Sequence, residues 1–156
     1  MITQETINRV LKGYTPQSKL LKSASLEYPT IKGTFLIGPT SYYSPSLKHA
    51  TDIEIQLCLN QLAYVQIAEI MNQRIIPGLN GFDFEELQGE NMLITASRKK
   101  FKKSIRTDIE IQGELTLKKY KEFKNLFIGN MDFKFENSGC VGDLELVLIK
   151  PKGASK

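Results

Sequence analysis

A long apolar segment in the middle of this 156-residue chain limits the folds that it can adopt. Residues 62–71 are mostly aliphatic, and a continuous apolar body of this length favours a buried helix over a strand. The residues just before it are ambiguous. Their apolar members alternate with polar or small residues, which is typical of a strand: Ile53, Ile55, Leu57 and Leu59. Periodicity therefore predicts the helix but leaves open where it begins.

The rest of the chain is rich in strand patterns. A short amphipathic helix is predicted over residues 3–12, with Thr3 as its N-cap and Gly13 at its end. Strands are predicted over residues 20–28, 31–37, 92–101, 108–117, 126–136 and 140–149, with one helical turn over residues 82–87 and a three-residue hairpin turn at 137–139. These elements predict an α+β fold with one long helix against one curved antiparallel sheet. We expect one domain over residues 1–150 and a flexible tail over residues 151–156.

The strand predicted over residues 108–117 has the clearest alternation. Its apolar residues are separated by charged or polar ones, which predicts one buried face and one exposed face. The buried face would comprise Ile109, Ile111, Leu115 and Leu117.

Composition and motifs exclude several classes of protein. No apolar run reaches the length of a membrane span, and the first residues lack the apolar core of a signal peptide, so we expect no membrane insertion and a cytoplasmic location. Cys58 and Cys140 stand 82 positions apart, without metal or redox spacing, and are expected to be reduced core thiols. The chain has one histidine and none of the familiar phosphate-loop, dinucleotide-binding or zinc-protease motifs, so we expect neither a metal nor a bound cofactor.

The polar residues of the middle region are the candidates for chemistry. Asn60 lies inside the apolar segment, where an amide needs hydrogen-bond partners; it serves either a substrate or a neighbouring stretch of backbone. Tyr42 could donate a hydrogen bond to a carbonyl oxygen or anchor its loop on the core. His49 could act as a general base or be a surface residue. Glu54 could act as a base or favour the positive end of the helix. Amides at that end could also stabilise an oxyanion.

A cluster of positive charge lies further along the chain. Five of the six residues between Arg98 and Lys103 are basic, among them Lys100. Such a cluster attracts phosphate groups and acidic proteins, or it is simply the solvated face of a strand. It lacks the interleaved aromatic residues of a nucleic-acid-binding module, so no nucleic-acid partner is expected.

Several of these stretches resemble the FcoT-like thioesterase family of hot-dog-fold proteins. The resemblance rests on RVLKGY at residues 9–14, GTFLIG at 33–38, the Ser41-Tyr42 pair, the His49 to Glu54 spacing and LCLNQLAY at 57–64. It extends more weakly through residues 97–103 and the last strands. It implies that the ambiguous segment is helical, forming a central helix wrapped by the sheet, and that the chain forms dimers or larger homo-oligomers with acyl sites near the subunit interface.

The resemblance also implies an activity and its residues. Family members act on fatty-acyl thioesters of coenzyme A or acyl carrier protein, so the phosphopantetheine arm arrives with the substrate. Some hydrolyse the thioester, whereas others add glycine to a 2-enoyl group on the carrier protein in isonitrile-lipopeptide biosynthesis. The site residues of the family fall on Tyr14, Tyr42 and Asn60. Thr51 stands where the family pattern has asparagine. Arg98 and Lys100 would contact the carrier, and a non-catalytic acyl-binding module is the alternative to an enzyme.

Overall fold

The computed structural model of the protein describes residues 1–40 and 42–151. Its helices are α1 (Gln4–Val10), α2 (Asp52–Asn72) and α3 (Phe84–Glu86), and its strands are β1 (Leu21–Glu27), β2 (Thr30–Leu36), β3 (Met92–Phe101), β4 (Glu110–Phe123), β5 (Leu126–Phe135) and β6 (Cys140–Ile149). Single 3₁₀ turns at Pro16–Ser18 and Pro77–Leu79 and a π-helical turn at Leu87–Asn91 join them. Ser41 and the predicted tail beyond residue 151 lie outside the described residues.

The six strands form one antiparallel sheet in the order β1-β2-β4-β5-β6-β3. Helix α2 lies across β1, β2 and β4 and supplies a large share of the buried core. A long helix wrapped by a curved antiparallel sheet, with a short N-terminal helix beside it, is the hot-dog fold. The predicted fold class is therefore confirmed.

The beginning of α2 settles the ambiguous segment as helix. Thr51 is its N-cap and accepts a hydrogen bond from the backbone N–H of Ile53, while Glu54 returns a carboxylate to the backbone N–H of Thr51 at 2.7 Å. This reciprocal capping box fixes the first turn. The strand-like alternation after it is misleading, because residues two apart on a helix lie about 200° apart around its axis. Accordingly, Ile53 is 52% exposed whereas Ile55 is buried.

Two details of β4 differ from the sequence prediction. The strand begins at Glu110 and continues to Phe123, past a bulge between Leu117 and Lys119. Ile109 precedes the strand and is 40% exposed, so its predicted place on the buried face is wrong. The other three residues predicted for that face are buried: Ile111, Leu115 and Leu117.

The remaining elements follow the sequence closely. β3 and β6 have the predicted bounds, and Thr3 caps α1 by accepting from the backbone N–H of Thr6, although the helix ends at Val10 rather than at residue 12. Cys58 and Cys140 are both buried free thiols, as expected. Within the described part of the chain, no helix has both the length and the apolar character needed to cross a bilayer.

Candidate active site

Tyr42, Thr51 and Glu54 form a hydrogen-bonded cluster at the N-terminus of α2. The Tyr42 hydroxyl donates to the Glu54 carboxylate and lies 3.0 Å from the Thr51 hydroxyl. The other carboxylate oxygen of Glu54 accepts from the Thr51 hydroxyl at 2.6 Å as well as from the Thr51 backbone. Glu54 is only 5% exposed, whereas 48% of Tyr42 is exposed. Tyr42 is therefore the solvent-facing end of a chain of hydrogen bonds that leads to a buried carboxylate.

The cluster holds its two titratable groups in different states. Burial alone would raise the pKa of Glu54, but the hydrogen bonds that it accepts from Thr51 and Tyr42 outweigh burial and lower that pKa below its usual value. The pKa of Tyr42 is raised, by desolvation first and by its hydrogen bond to the Glu54 carboxylate second. At neutral pH, Glu54 is therefore an ionised carboxylate, and it accepts a hydrogen bond from the neutral hydroxyl of Tyr42.

Asn60 lies in a different place, a groove between α2 and the edge strand β3. Its side-chain carbonyl accepts a hydrogen bond of 2.9 Å from Gln56, and Gln56 in turn accepts one of 3.1 Å from Ser97 on β3. Together with Tyr64 and residues 92–96, these side chains line a cavity of about 390 Å³. The acceptor of Asn60 is occupied by protein, so its two amide N–H groups are the part that can serve a ligand in the groove.

Tyr64 connects the Asn60 groove to Tyr14. The two tyrosine rings lie 6.4 Å apart, centre to centre, and line a second cavity of about 400 Å³. The pKa of Tyr14 is raised well above its ordinary value, by burial first and by the neighbouring Tyr64 second. Tyr14 therefore stays a neutral hydroxyl at neutral pH. Tyr64 lines both cavities, with Asn60 in one and Tyr14 in the other.

Gln61, the amide next to Asn60, is the residue that ties down a neighbouring stretch of backbone. Gln61 is fully buried and accepts hydrogen bonds from the backbone N–H groups of Leu20 and Leu21, at 3.0 and 3.1 Å. It also donates to the carbonyl oxygen of Ser18 at 2.5 Å. Gln61 thus fastens the start of β1 to α2. Asn60 is half-buried and has no such backbone partner among the described residues.

His49 does not join the groove. It is exposed, forms an isolated β-bridge with Arg106, and lines a cavity of about 480 Å³ with Thr51, Lys102 and Lys103. Thr51 thus lines this cavity, while its hydroxyl belongs to the Tyr42 cluster. Among the described residues, Glu54 has hydrogen-bond partners that hold its carboxylate in a defined orientation, whereas the side chain of His49 has none.

The basic cluster on β3 is partly neutralised by its neighbours. Arg98 pairs with Asp143 at 3.1 Å, and Lys99, whose side chain is 8% exposed, pairs with Asp52 at 3.0 Å. Lys100 is exposed and forms no ion pair among the described residues. The charge that remains available therefore comes from Lys100 and the lysines that follow it rather than from Arg98.

Sequence reasoning missed three residues that line the groove: Gln56, Tyr64 and Ser97. Gln56, Asn60 and Tyr64 stand four residues apart, which places them on one face of a helix. That spacing was visible once the segment was taken as helical. Ser97 could not be found in this way because it comes from a distant strand. In the part of the chain that the structure describes, no group of His, Cys, Asp or Glu side chains is arranged to hold a metal ion.

Comparison with known proteins defines the class. The FcoT-like thioesterase domain model matches residues 9–148, and the chain therefore belongs to the FcoT-like thioesterase family. The (2E)-enoyl-[ACP] glycyltransferases of Mycobacterium tuberculosis and Mycobacterium bovis are 30% identical to this chain over 112 residues, which cover 67% of this chain and 61% of theirs. The chain thus matches about three-fifths of the length of these curated relatives.

Solved structures support the same fold. A thioesterase from Pseudomonas aeruginosa has a TM-score of 0.59 at 7% identity, with 96% of this chain and 95% of the other covered. A hypothetical thioesterase from Streptococcus pneumoniae, solved with coenzyme A, has a TM-score of 0.55 at 7% identity, and it is covered over its whole length by 96% of this chain. At these identities the likeness concerns the fold.

Proposed function

We propose that this chain is an enzyme that hydrolyses fatty-acyl thioesters carried by acyl carrier protein or coenzyme A. The observation that carries this proposal is the Asn60 groove. There an amide with two N–H donors lies on a half-buried helical face, its own acceptor held by Gln56. Donors fixed in this way can stabilise negative charge that develops on a thioester oxygen. Membership of the FcoT-like thioesterase family supports the reaction class.

In this proposal the Asn60 amide donates to the thioester carbonyl oxygen. Water attacks the carbonyl carbon, the oxygen becomes an oxyanion, and the Asn60 N–H groups stabilise that charge. The intermediate collapses by breaking the carbon–sulfur bond. The sulfur leaves as a thiolate and is protonated to the free thiol, and the acyl group leaves as a fatty acid. Tyr14, a neutral hydroxyl beside Tyr64, lines the path of the acyl chain.

Tyr42 and Glu54 are assigned to proton transfer. The proton of Tyr42 is directed at the Glu54 carboxylate, so the exposed phenol oxygen can accept a proton from the attacking water while its own proton moves to Glu54. Thr51 positions the Glu54 carboxylate through two hydrogen bonds. This role needs no amide side chain, although the family pattern has asparagine at this position. His49 remains the alternative base, from the neighbouring cavity.

A second copy of the chain would bring these groups together. Glu54 and Asn60 are six residues apart on α2, which separates them by about 9 Å along the axis and about 120° around it. The adjacent edge strand β3 has no neighbour on its outer side within the described sheet, and Leu93 and Phe101 on it are exposed. An unpaired strand of this kind is suited to pairing with another copy. We therefore assign the active unit to a homo-oligomer, in which the groove of one protomer faces the Tyr42 cluster of its partner.

The carrier is assigned to the basic end of β3. Lys100 supplies positive charge that is unpaired among the described residues, three positions beyond Ser97 on the same strand, and this charge would attract the phosphate of a phosphopantetheine arm or an acidic carrier protein. Arg98 contributes less, because Asp143 neutralises it.

The test is release of free thiol from decanoyl-CoA and decanoyl-ACP, measured with a chromogenic thiol reagent. The proposal predicts steady release that requires the folded protein and depends on Asn60. Absence of thiol release from both carriers would contradict it.

One specific observation favours a second candidate. The curated relatives are named (2E)-enoyl-[ACP] glycyltransferases. In such a reaction the glycine nitrogen bonds to carbon 3 of the 2-enoyl group, a proton goes to carbon 2, and the thioester stays intact. The charge again develops on the thioester oxygen, so the same Asn60 donors would serve. The two candidates differ in the nucleophile and in the carbon that it attacks.

A further inference from the structure

A cleft at the opposite end of α2 has no part in the proposed chemistry. It has a volume of about 640 Å³ and lies between the end of α1, the end of α2 and the connector that leads to α3. A cleft of this volume is large enough for a ligand of nucleotide size. Besides two carboxylates and two aliphatic side chains, its lining includes the guanidinium groups of Arg9 and Arg74, the amides of Asn72 and Asn80, and the rings of Phe82 and Phe84.

The two arginines are available to a ligand. Neither guanidinium takes part in an ion pair or a side-chain hydrogen bond with any residue of the described ranges 1–40 and 42–151. The carboxylates that line the same cleft are occupied elsewhere. Asp83 accepts from the backbone N–H groups at the start of α3, and Glu85 pairs with Lys12 at 3.3 Å. The cleft therefore has two cationic groups whose hydrogen-bond donors have no partner in the part of the chain that the structure describes.

Arg74 occupies a backbone position that an arginine rarely takes. Its φ is +54°, and it ends α2 by donating its N–H to the carbonyl oxygen of Met71, while Ile75 donates to Ile70. This is the Schellman arrangement, whose left-handed residue is usually glycine because a Cβ is strained there. A positive charge does suit the carboxyl end of a helix, but a basic residue in the last turn would supply it without a left-handed backbone. Placing a guanidinium at this strained position suggests a use for the side chain.

We propose that the cleft between Arg9 and Arg74 is a binding site for a phosphate-bearing nucleotide. Guanidinium groups bind phosphate oxygens with two parallel hydrogen bonds, and aromatic rings provide a surface for a planar base. The asparagine amides can donate to and accept from the edge of that base. The nucleotide is either free in solution or the nucleotide end of coenzyme A. The cleft shares Glu85 with the Tyr14 cavity. Because the proposed function places the acyl chain along Tyr14 and the carrier phosphate near Lys100, coenzyme A in this cleft would be a second molecule rather than the substrate.

Isothermal titration calorimetry at low ionic strength tests the site with four probes: 3′,5′-ADP, AMP, coenzyme A and inorganic phosphate. The intact protein is compared with Arg74→Gly and Arg9→Gln, and Arg106→Gln serves as the charge-matched control because Arg106 does not line the cleft. Glycine suits the left-handed position, so Arg74→Gly is expected to fold at least as well as the natural chain. Loss of binding in that variant cannot then be attributed to unfolding.

The site predicts that a nucleotide binds and that its affinity falls about tenfold or more in both cleft variants, as expected for the loss of a charge-assisted hydrogen bond. Arg106→Gln should retain full affinity. Tighter binding of 3′,5′-ADP and coenzyme A than of AMP identifies the source as coenzyme A, and tighter binding of AMP identifies a free nucleotide. Failure of every probe to bind, or equal affinity in the natural chain and in both cleft variants, overturns the site. Binding is read without turnover, so this result is separate from that of the thiol-release assay.

Discussion

Gln56 donates a hydrogen bond of 2.9 Å to the side-chain carbonyl of Asn60, one helical turn further along α2. The bond fixes which end of the Asn60 amide faces the groove. Ser97 holds Gln56 in turn, so strand β3 and helix α2 jointly orient the donor. An amide oriented by two supporting side chains is preorganised, and this is the property that oxyanion stabilisation requires.

Replacing Asn60 by alanine should therefore remove transition-state stabilisation without unfolding the protein. We expect turnover of acyl thioesters to fall about 10²–10³-fold, the usual cost of losing one oxyanion donor. Initial rates and the far-ultraviolet circular dichroism spectrum check the two halves of this prediction. Asn130→Ala is the matched control, because Asn130 is also half-buried but lies on β5. A folded Asn60→Ala enzyme with near-normal turnover would exclude Asn60 from the site.

Gln61→Ala should affect stability instead. The substitution leaves the backbone N–H groups of Leu20 and Leu21 and the carbonyl oxygen of Ser18 without their buried partner. We expect the free energy of unfolding to fall by about 2–4 kcal/mol. Urea titration measures it, with Gln73→Ala as a control that changes stability by less than about 0.5 kcal/mol, because Gln73 is exposed. Equal effects of the two substitutions would contradict the assigned role of Gln61.

The Glu54 cluster predicts a pH dependence of stability. The pKa of Glu54 is lower in the folded protein than its ordinary value of 4.5, so its carboxylate stabilises the fold above that pH. This contribution is lost as the pH falls through the lowered folded pKa. Glu54→Gln should therefore be less stable than the natural chain at pH 7, and the difference in unfolding free energy should shrink towards pH 3. A difference that stays constant between these pH values would show that Glu54 is not held as a carboxylate.

The basic end of β3 predicts salt-dependent use of acyl carrier protein. Lys100→Glu should lower kcat/KM for acyl-ACP by about 3- to 10-fold at low ionic strength, with the effect fading at 0.5 M salt because exposed charges are screened. Arg98→Glu should have an additional, structural effect, since it places a carboxylate opposite Asp143. Lys32→Glu, an equivalent change on the exposed face of β2, is the control. Identical salt profiles for the natural chain and Lys100→Glu would contradict a docking role.

The elements that the sequence predicted well are those with strong local signals. Residues 92–101 and 140–149 combine β-branched and alternating residues with clear turns beside them, and their bounds agree with β3 and β6. The helical identity of residues 52–59 also had a local signal, the Thr51-x-x-Glu54 capping box. The alternating apolar residues that follow it concealed this signal. The extension of β4 beyond Leu117 depends instead on pairing with β5. No pattern within residues 118–123 alone predicts this pairing.

The site was only partly predictable, because its groups come from separate elements. Tyr42, Thr51 and Glu54 are near one another in sequence, and the structure brings them together. The pairing of Arg98 with Asp143 depends on the register of β3 against β6, which no local pattern gives. The contact of Ser97 with Gln56 likewise depends on how the sheet wraps around α2.

The most direct measurement is intact-protein mass spectrometry of decanoyl-ACP and 2-decenoyl-ACP incubated with the enzyme, with and without glycine. We predict loss of the acyl group from both carriers at rates that do not depend on glycine, and a large reduction of this loss in Asn60→Ala. A glycine-dependent gain of one glycine mass on 2-decenoyl-ACP alone would replace hydrolysis by conjugate addition at the same site. Unchanged carriers in every arm would contradict catalysis on acyl thioesters and favour the alternative of a non-catalytic acyl-binding module.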